Sequence, residues 1–257
     1  MLILLIPLQV LHAADAQEIP TRLTACGDAD GYPPFSYFER RDGQETNTVA
    51  GYDIDFLREL LTPLGHTIEF SLLPWLRCLN LVSTGEIDIA LDVSRFPERD
   101  RQLRFPRSHY ATTAILIQLR QPELIAITTP AELERQRICI INGWAFASLG
   151  MSENARPVGT PPTPAAAANM LRTGRCSILP YSLEAMIGNA LLDPDFILST
   201  DEFTYAPIPW ALGGEKHFGV SRQLPYGESL VELLDQGITR MLETGDAERI
   251  RQDYLLP

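Results

Sequence analysis

The stretch from His66 to Val93 restricts the fold of this chain more than any other. "HTIEFSLL" alternates in the manner of a strand, and "IDIALDV" is a second short apolar run. Between them Trp75, Cys78, Leu79 and Val82 recur at i, i+3, i+4 and i+7, marking an amphipathic helix that stops at Gly85. A strand, a helix and a strand joined this tightly close as a parallel pair with a right-handed crossover. Upstream, "RLTACGD" reads as one more strand. The segment "GYDIDFLRELLTPLG" puts Ile54, Leu57, Leu61 and Leu64 on one helical face and ends at Gly65. "GYPPFSYFE" between them is aromatic, and its two prolines forbid a helix.

The pattern then restarts. "ATTAILIQL" is extended, "QPELIAITTPAELERQ" connects into a short helix, and "RICIING" is a strand. "TPAAAANMLRTG", "RCSILP" and "SLEAMIGNALL" follow as helix, strand and helix. The proline-rich "YAPIPWALGG" leads to the strand "HFGVSR". Two helices close the chain, the first burying Leu230, Leu233, Leu234, Ile238 and Met241, with a break at Gly245-Asp246. The 257 residues suffice for one large core or two modest ones. Two α/β units joined by two extended passages predict two lobes, with a cleft at the carboxyl ends of the strands. We read 17–112 with 218–257 as one lobe and 113–217 as the other.

The first residues, "MLILLIPLQVLHAADA", are too short an apolar run to span a bilayer. They fit the core of a secretory signal over 1–16 with Ala14-Asp15-Ala16 as cleavage site, although no positive residue follows Met1. Export to the periplasm is the expectation. The four cysteines, Cys26, Cys78, Cys139 and Cys176, are an even set that an oxidising compartment lets pair, with three connectivities possible. Neither they nor the four scattered histidines have metal-ligand spacing, so no metal and no cofactor is expected. A net charge of -12 argues against a nucleic-acid partner.

Against that acidic background, "SRFPERDRQLRFPR" places five arginines, Arg95, Arg99, Arg101, Arg104 and Arg107, in one short stretch. They form either a solvated basic patch or a patch from which one arginine meets an anion. Composition does not choose between the two.

The chain resembles the family 3 extracellular solute-binding proteins, which serve ABC importers of polar amino acids. The resemblance is carried by "YPPFSY", "GYDIDFLREL", "LVSTGEIDIAL", "FPERDRQLRFPRSHY", "INGWAF", "LRTGRCSIL" and "MLETGDAERIRQDYL", in the family's order. It implies a type II two-lobe α/β fold: two parallel-type sheets joined by a two-strand hinge that closes on ligand. It also implies that Arg99, in the Pro-Glu-Arg step, receives the ligand's carboxylate. A guanidinium suits this, because its planar fork grips a carboxylate through two charge-assisted bonds. The competing role for Arg99 is an ion pair with Asp100 or Glu98. By the same resemblance Tyr32 stacks on the ligand, against simple packing beside Pro33 and Pro34. Trp75 walls the cleft, against core burial. Asp92 and Ser94 stand where the family offers small hydroxyl or backbone groups, and Asn142, Gly143 and Trp144 match a helix N-terminus of the second lobe.

Departures from the family pattern bear on the ligand. The second-lobe acid that receives an amino acid's ammonium falls at Ser182, with Glu184 two residues on. A serine does not neutralise a buried ammonium. Either Asp92 or Glu184 substitutes, or the ligand is a carboxylate without an amine. Trp144 and Phe146 replace smaller polar types. The family's lobe arrangement also implies the pairings Cys26–Cys78 and Cys139–Cys176, each within one lobe.

The function expected is that of an exported, non-enzymatic, monomeric receptor for a small carboxylated solute, an amino acid or related acid. Its partner is an ABC-type permease or a membrane sensor. The alternatives are a dehydratase of cyclic acids on the same fold, with Asp92 or Glu184 as acid, and a sensing module without a permease.

Overall fold

The computed structural model describes residues 17–121, 125–142, 149–151, 156–211 and 214–255. The leader read over 1–16 lies outside them. The first lobe is built on β1 (Arg22–Asp28), β4 (Thr67–Leu73) and β5 (Ile89–Val93). These pair in parallel, with Cys26 opposite both Ser71 and Ala90. The crossovers are α1 (Tyr52–Leu61) and α2 (Trp75–Thr84), where the periodicity predicts helices, but α1 gives way to a 3-10 turn over Thr62–Leu64, and Leu64, expected on the buried face, is exposed. The sheet is completed antiparallel by β11 (Gly214–Ser221) beside β5, and by β6 (Leu103–Arg104) and β7 (Tyr110–Thr112) beside β11. A chain segment from beyond the second lobe therefore lies at the heart of the first.

α2 starts after Pro74 and ends at Gly85, whose φ of 82° is left-handed and lets its N–H reach the Leu81 and Val82 carbonyls. Its inner residues Cys78 and Val82 are fully buried with Cys26, Ala90 and Val93. α7 (Gly227–Thr244) and α8 (Asp246–Leu255) close the opposite face; Leu230, Leu234 and Ile238 of α7 are fully buried. A hairpin of β2 (Tyr37–Arg41) and β3 (Gln44–Ala50), turning at Asp42 and Gly43 with φ of 52° and 76°, projects from this lobe.

The second lobe carries β8 (Ala114–Leu119) between β9 (Leu179–Ser182) and β10 (Phe203–Pro207), all antiparallel. Among the described residues its parallel component is reduced to two bridges, Ile138 to Ile178 and Cys139 to Gly159, where "RICIING" reads as a full strand in sequence. α4 (Pro130–Glu134), α5 (Pro164–Arg172) and α6 (Leu183–Leu192) pack around this sheet. Thr129, Thr163 and Ser182 cap the three helices through side-chain oxygens. Leu116, Leu133, Ile138, Ile140, Ile178 and Ile208 form a core of their own.

Both disulfides lie within a lobe. Cys26–Cys78 ties β1 to α2 with a Cα separation of 5.7 Å, and Cys139–Cys176 crosses the second lobe at 5.6 Å. The lobes meet at α6, where a Cβ on Gly188 would stand 2.5 Å from the Pro33 carbonyl. Only glycine lets the helix backbone approach so near. Arg40 of the hairpin reaches the end of the same helix, 3.3 Å from the Leu192 carbonyl and 3.8 Å from Asp193. No helix among the described residues is long and apolar enough to cross a membrane.

Candidate ligand-binding site

A cavity of about 110 Å³ opens between the lobes. The first lobe contributes Asp28 from the end of β1, Tyr32, Trp75 from the start of α2, Asp92 and Ser94 from the end of β5, and Arg99. The second contributes Ala114, Ile140, Leu149, Pro180, Tyr181 and Ser182. Thr112, Gly214 and Lys216 belong to the strands that link the two. This is the crevice beyond the carboxyl ends of the parallel strands, where open α/β sheets take ligands.

Arg99 sits in the single turn α3 (Pro97–Asp100) that follows β5, and only 8% of it is exposed. Its Nη1 donates to the Ser94 carbonyl at 2.9 Å. The guanidinium carbon lies 4.4 Å from the centre of the Phe96 ring and 5.6 Å from that of Trp75. Burial lowers the Arg99 pKa to about 10, so the group stays cationic at neutral pH. Asp100, a competitor for Arg99 on sequence grounds, pairs instead with Arg95 at 2.8 Å. Of the other arginines in the stretch, Arg104 pairs with Glu228 at 3.1 Å, Arg107 donates to Thr239 at 2.6 Å, and Arg101 is exposed. The patch is therefore mixed: one arginine turns into the cleft and the rest serve the surface.

Lys216 is the residue that sequence reasoning passed over. It is the chain's single lysine among 21 basic residues. β11 brings it into the cavity, where Nζ donates to Ser94 Oγ at 3.1 Å and lies 5.0 Å from the centre of the Tyr32 ring. Burial, with Arg99 adding repulsion and Asp92 opposing both, lowers its pKa to about 8. The signal available in the sequence was compositional: a chain that otherwise uses arginine throughout keeps one lysine, at the strand that re-enters the first lobe.

Asp92 has a left-handed backbone, φ 57°, unusual for a residue other than glycine. Ser36 Oγ donates to one carboxylate oxygen and the Tyr110 hydroxyl to the other, each at 2.5 Å. Burial, reinforced by the neighbouring charge of Asp53, holds its pKa well above the usual carboxylate range. Behind it Asp53 and His109 form a fully enclosed pair at 2.9 Å. Burial pushes Asp53 up to about 8 and His109 down to about 3. Asp28 is raised to about 6, again by burial first.

Tyr32 is 7% exposed and lines the cavity together with Ser182 and Thr112. Trp75 is half-buried, packed against the Cys26–Cys78 cluster on one side and lining the cavity on the other. Ser182 caps α6 by accepting from the Ala185 N–H at 3.3 Å. Glu184 is engaged beside the end of β7: its two oxygens accept the Thr113 N–H at 3.0 and 2.8 Å, and one also accepts from Ser182 at 3.1 Å. It is absent from the cavity wall. Asn142 does not join the site either; it is exposed, and its N–H donates to the Pro161 carbonyl at 2.9 Å, which turns the segment along 159–161. Gly143, Trp144 and Phe146 lie outside the described residues.

Solved structures share this architecture. An amino acid ABC transporter substrate-binding protein, AbpA, from Streptococcus pneumoniae, bound to L-arginine, superposes with a TM-score of 0.70 at 19% identity, covering 91% of this chain and 94% of that one. An ABC uptake transporter substrate-binding protein from the same organism with bound histidine gives 0.69 at 16%, covering 91% and 92%. A histidine kinase sensor domain with similarity to periplasmic binding proteins gives 0.69 at 20%, covering 91% and 96%. No curated protein matches the sequence. The model of the bacterial extracellular solute-binding proteins, family 3, matches residues 24–257, nearly the whole chain, and this protein belongs to that family.

Proposed function

We propose that this protein is an exported receptor that captures a small carboxylate-bearing solute between its lobes and delivers it to an ABC-type permease. The observation that carries this reading is a buried guanidinium at the wall of an interlobe cavity. Arg99 is anchored through Nη1 to the Ser94 carbonyl, in a turn that follows a central strand. A desolvated guanidinium binds a carboxylate far more strongly than an exposed one, because the surrounding dielectric is low. Tyr32 and Trp75 supply flat walls for the ligand's body, with Asp92, Ser94 and Ser182 as polar contacts. In this reading the lobes divide at 112/113 and 217/218, and closure around the ligand is a shift between open and closed populations.

The same fold in a kinase sensor domain gives one competing destination for the signal, a membrane sensor rather than a permease. Both destinations require capture, so capture is tested first. A thermal-melt and titration-calorimetry panel of amino acids, hydroxy acids, oxo acids and aromatic acids is expected to give at least one saturable binder that raises the midpoint by mass action. No response from any carboxylate overturns the reading.

A further inference from the structure

Both cations of the cleft are tied to one residue. Arg99 Nη1 donates to the Ser94 carbonyl at 2.9 Å, and Lys216 Nζ donates to the Ser94 hydroxyl at 3.1 Å. They arrive from different places, Arg99 from the turn after β5 and Lys216 from the returning strand β11, yet they converge on one side of the cavity. The charge of Arg99 bears on Lys216. Among the described residues, no carboxylate lies within ion-pair distance of Lys216 Nζ. On the opposing wall, none of the six described residues, Ala114 to Ser182, is a carboxylate.

We infer that Lys216 is a second cationic contact of the acid subsite, and that the cleft is built for a carboxylate bearing no α-ammonium: a 2-oxo, 2-hydroxy or aromatic acid. The inference rests on carboxylate capture by Arg99 and adds the class of acid. An α-amino acid carries its ammonium one carbon from its carboxylate. Seating that carboxylate on Arg99 brings the ammonium into the field of Lys216, and like charges juxtaposed in a desolvated site are strongly disfavoured. A 2-oxo or 2-hydroxy group in the same place presents an oxygen that accepts a hydrogen bond from Nζ.

Two acids share the cavity and are the only described seats for an ammonium. Asp92 has both oxygens engaged by Ser36 and Tyr110 and stands as the longer-range counter-charge of Lys216. Asp28 accepts the Asp30 N–H at 3.3 Å. Neither belongs to the second lobe, so neither closes over a ligand from the side opposite Arg99.

The test uses matched ligands that differ only at the α position: phenylalanine with 3-phenyllactate and phenylpyruvate, leucine with its hydroxy and oxo analogues, and glutamate with 2-hydroxyglutarate and 2-oxoglutarate. Calorimetry on the full chain at neutral pH and fixed salt is expected to show the oxo or hydroxy acid binding at least about tenfold more tightly than the amino acid in the series that binds. Lys216→Met is expected to narrow that gap, weakening the deaminated acid while sparing the amino acid. A second readout avoids any folding defect of the variant. Reductive ¹³C-methylation of the single lysine gives one side-chain resonance beside that of the terminal amine, and it is expected to move when the acid saturates the site. An amino acid bound more tightly than its analogues overturns this inference while carboxylate capture stands. So does a lysine resonance indifferent to a bound acid. If no member of any series binds, capture itself fails.

Discussion

The two walls of the cleft are made from similar elements and differ in chemistry. On the first lobe the ends of β1 and β5 and the turn α3 present Asp28, Asp92, Ser94 and Arg99. On the second lobe β8 and β9 present Ala114, Pro180, Tyr181 and Ser182, joined by Ile140 and Leu149. Charge is concentrated on one jaw and shape on the other. Within the charged jaw Asp92 is held by Ser36 and Tyr110. Under the function proposed above, such a division has the first lobe hold the ligand's ionic end before closure, while the second adds apolar contact and excludes water. The sharpest way to break the comparison is to neutralise each jaw in turn. Arg99→Met is expected to cost at least 100-fold in affinity for whichever carboxylate binds, about 3 kcal/mol, by calorimetry on a variant with an unchanged circular dichroism spectrum. Ser182→Ala is expected to cost only a few-fold in affinity, together with about 1 kcal/mol of stability from the lost α6 cap. Equal losses from the two changes would abolish the distinction between the walls.

A smaller effect is expected where the jaws touch. Gly188 of α6 brings that helix against the Pro33–Pro34 backbone, and a Cβ there would stand 2.5 Å from the Pro33 carbonyl carbon and oxygen. Backbone on both sides leaves no flexible side chain to give way. Gly188→Ala therefore strains this contact between the lobes by about 1–3 kcal/mol. Separating the lobes relieves that strain. Ligand affinity is expected to fall about tenfold, and small-angle scattering of the liganded variant should show a larger radius of gyration than the parent. Asp193→Asn, which removes the partly exposed contact with Arg40 at the other end of α6, serves as the control. It is expected to change affinity by less than about threefold, because pairs open to solvent contribute little. If Gly188→Ala leaves affinity and shape unaltered, the meeting of α6 with the proline loop is not what holds the lobes together.

The same contrast governs how much could be read in the sequence. α1, α2 and α7 were legible because each buries one stripe, and the periodicity of Ile54, Leu57 and Leu61 or of Leu230, Leu234 and Ile238 records it. The β2–β3 hairpin was not. Its strands are largely exposed and charged, "YFERR" and "QETNTVA", so only the Asp42-Gly43 turn signals it. "RICIING" reads as a strand because Ile138, Ile140 and Ile141 form an apolar run, yet an apolar run alone does not supply ladder partners, and among the described residues it pairs at isolated bridges. In the site, Arg99 was singled out through the family resemblance of its Pro-Glu-Arg step, and the turn after β5 puts it at the cavity wall. Lys216 was not, because its place depends on β11 returning across 100 residues to lie opposite Tyr110 and beside β5. Asp53 is a similar case. An acid in the first turn of a helix reads as a solvated residue complementing the dipole, but here the turn faces inward and His109 covers it.

That buried pair yields the smallest expected effect and tests whether the first lobe's charge is held at a cost to stability. Asp53 is raised from 3.8 to about 8, so its contribution is full below the unfolded value and is lost as pH climbs toward 8. His109 is lowered from 6.5 to about 3, so its contribution is full above 6.5 and is lost as pH falls toward 3. Between about 4 and 6.5 the two slopes oppose each other; above that range only Asp53 remains, and stability falls. Asp92 and Lys216 titrate beside them, which makes the difference between parent and variant the quantity to measure. Asp53→Asn keeps the shape of the neutral carboxyl and removes its proton. Urea midpoints across pH 6.5 to 8 are expected to decline for the parent by no more than about 1.4 kcal/mol per pH unit per proton, and to decline less for the variant. Parallel profiles would mean that Asp53 is already ionised against His109, and that the first lobe holds its buried charge without penalty.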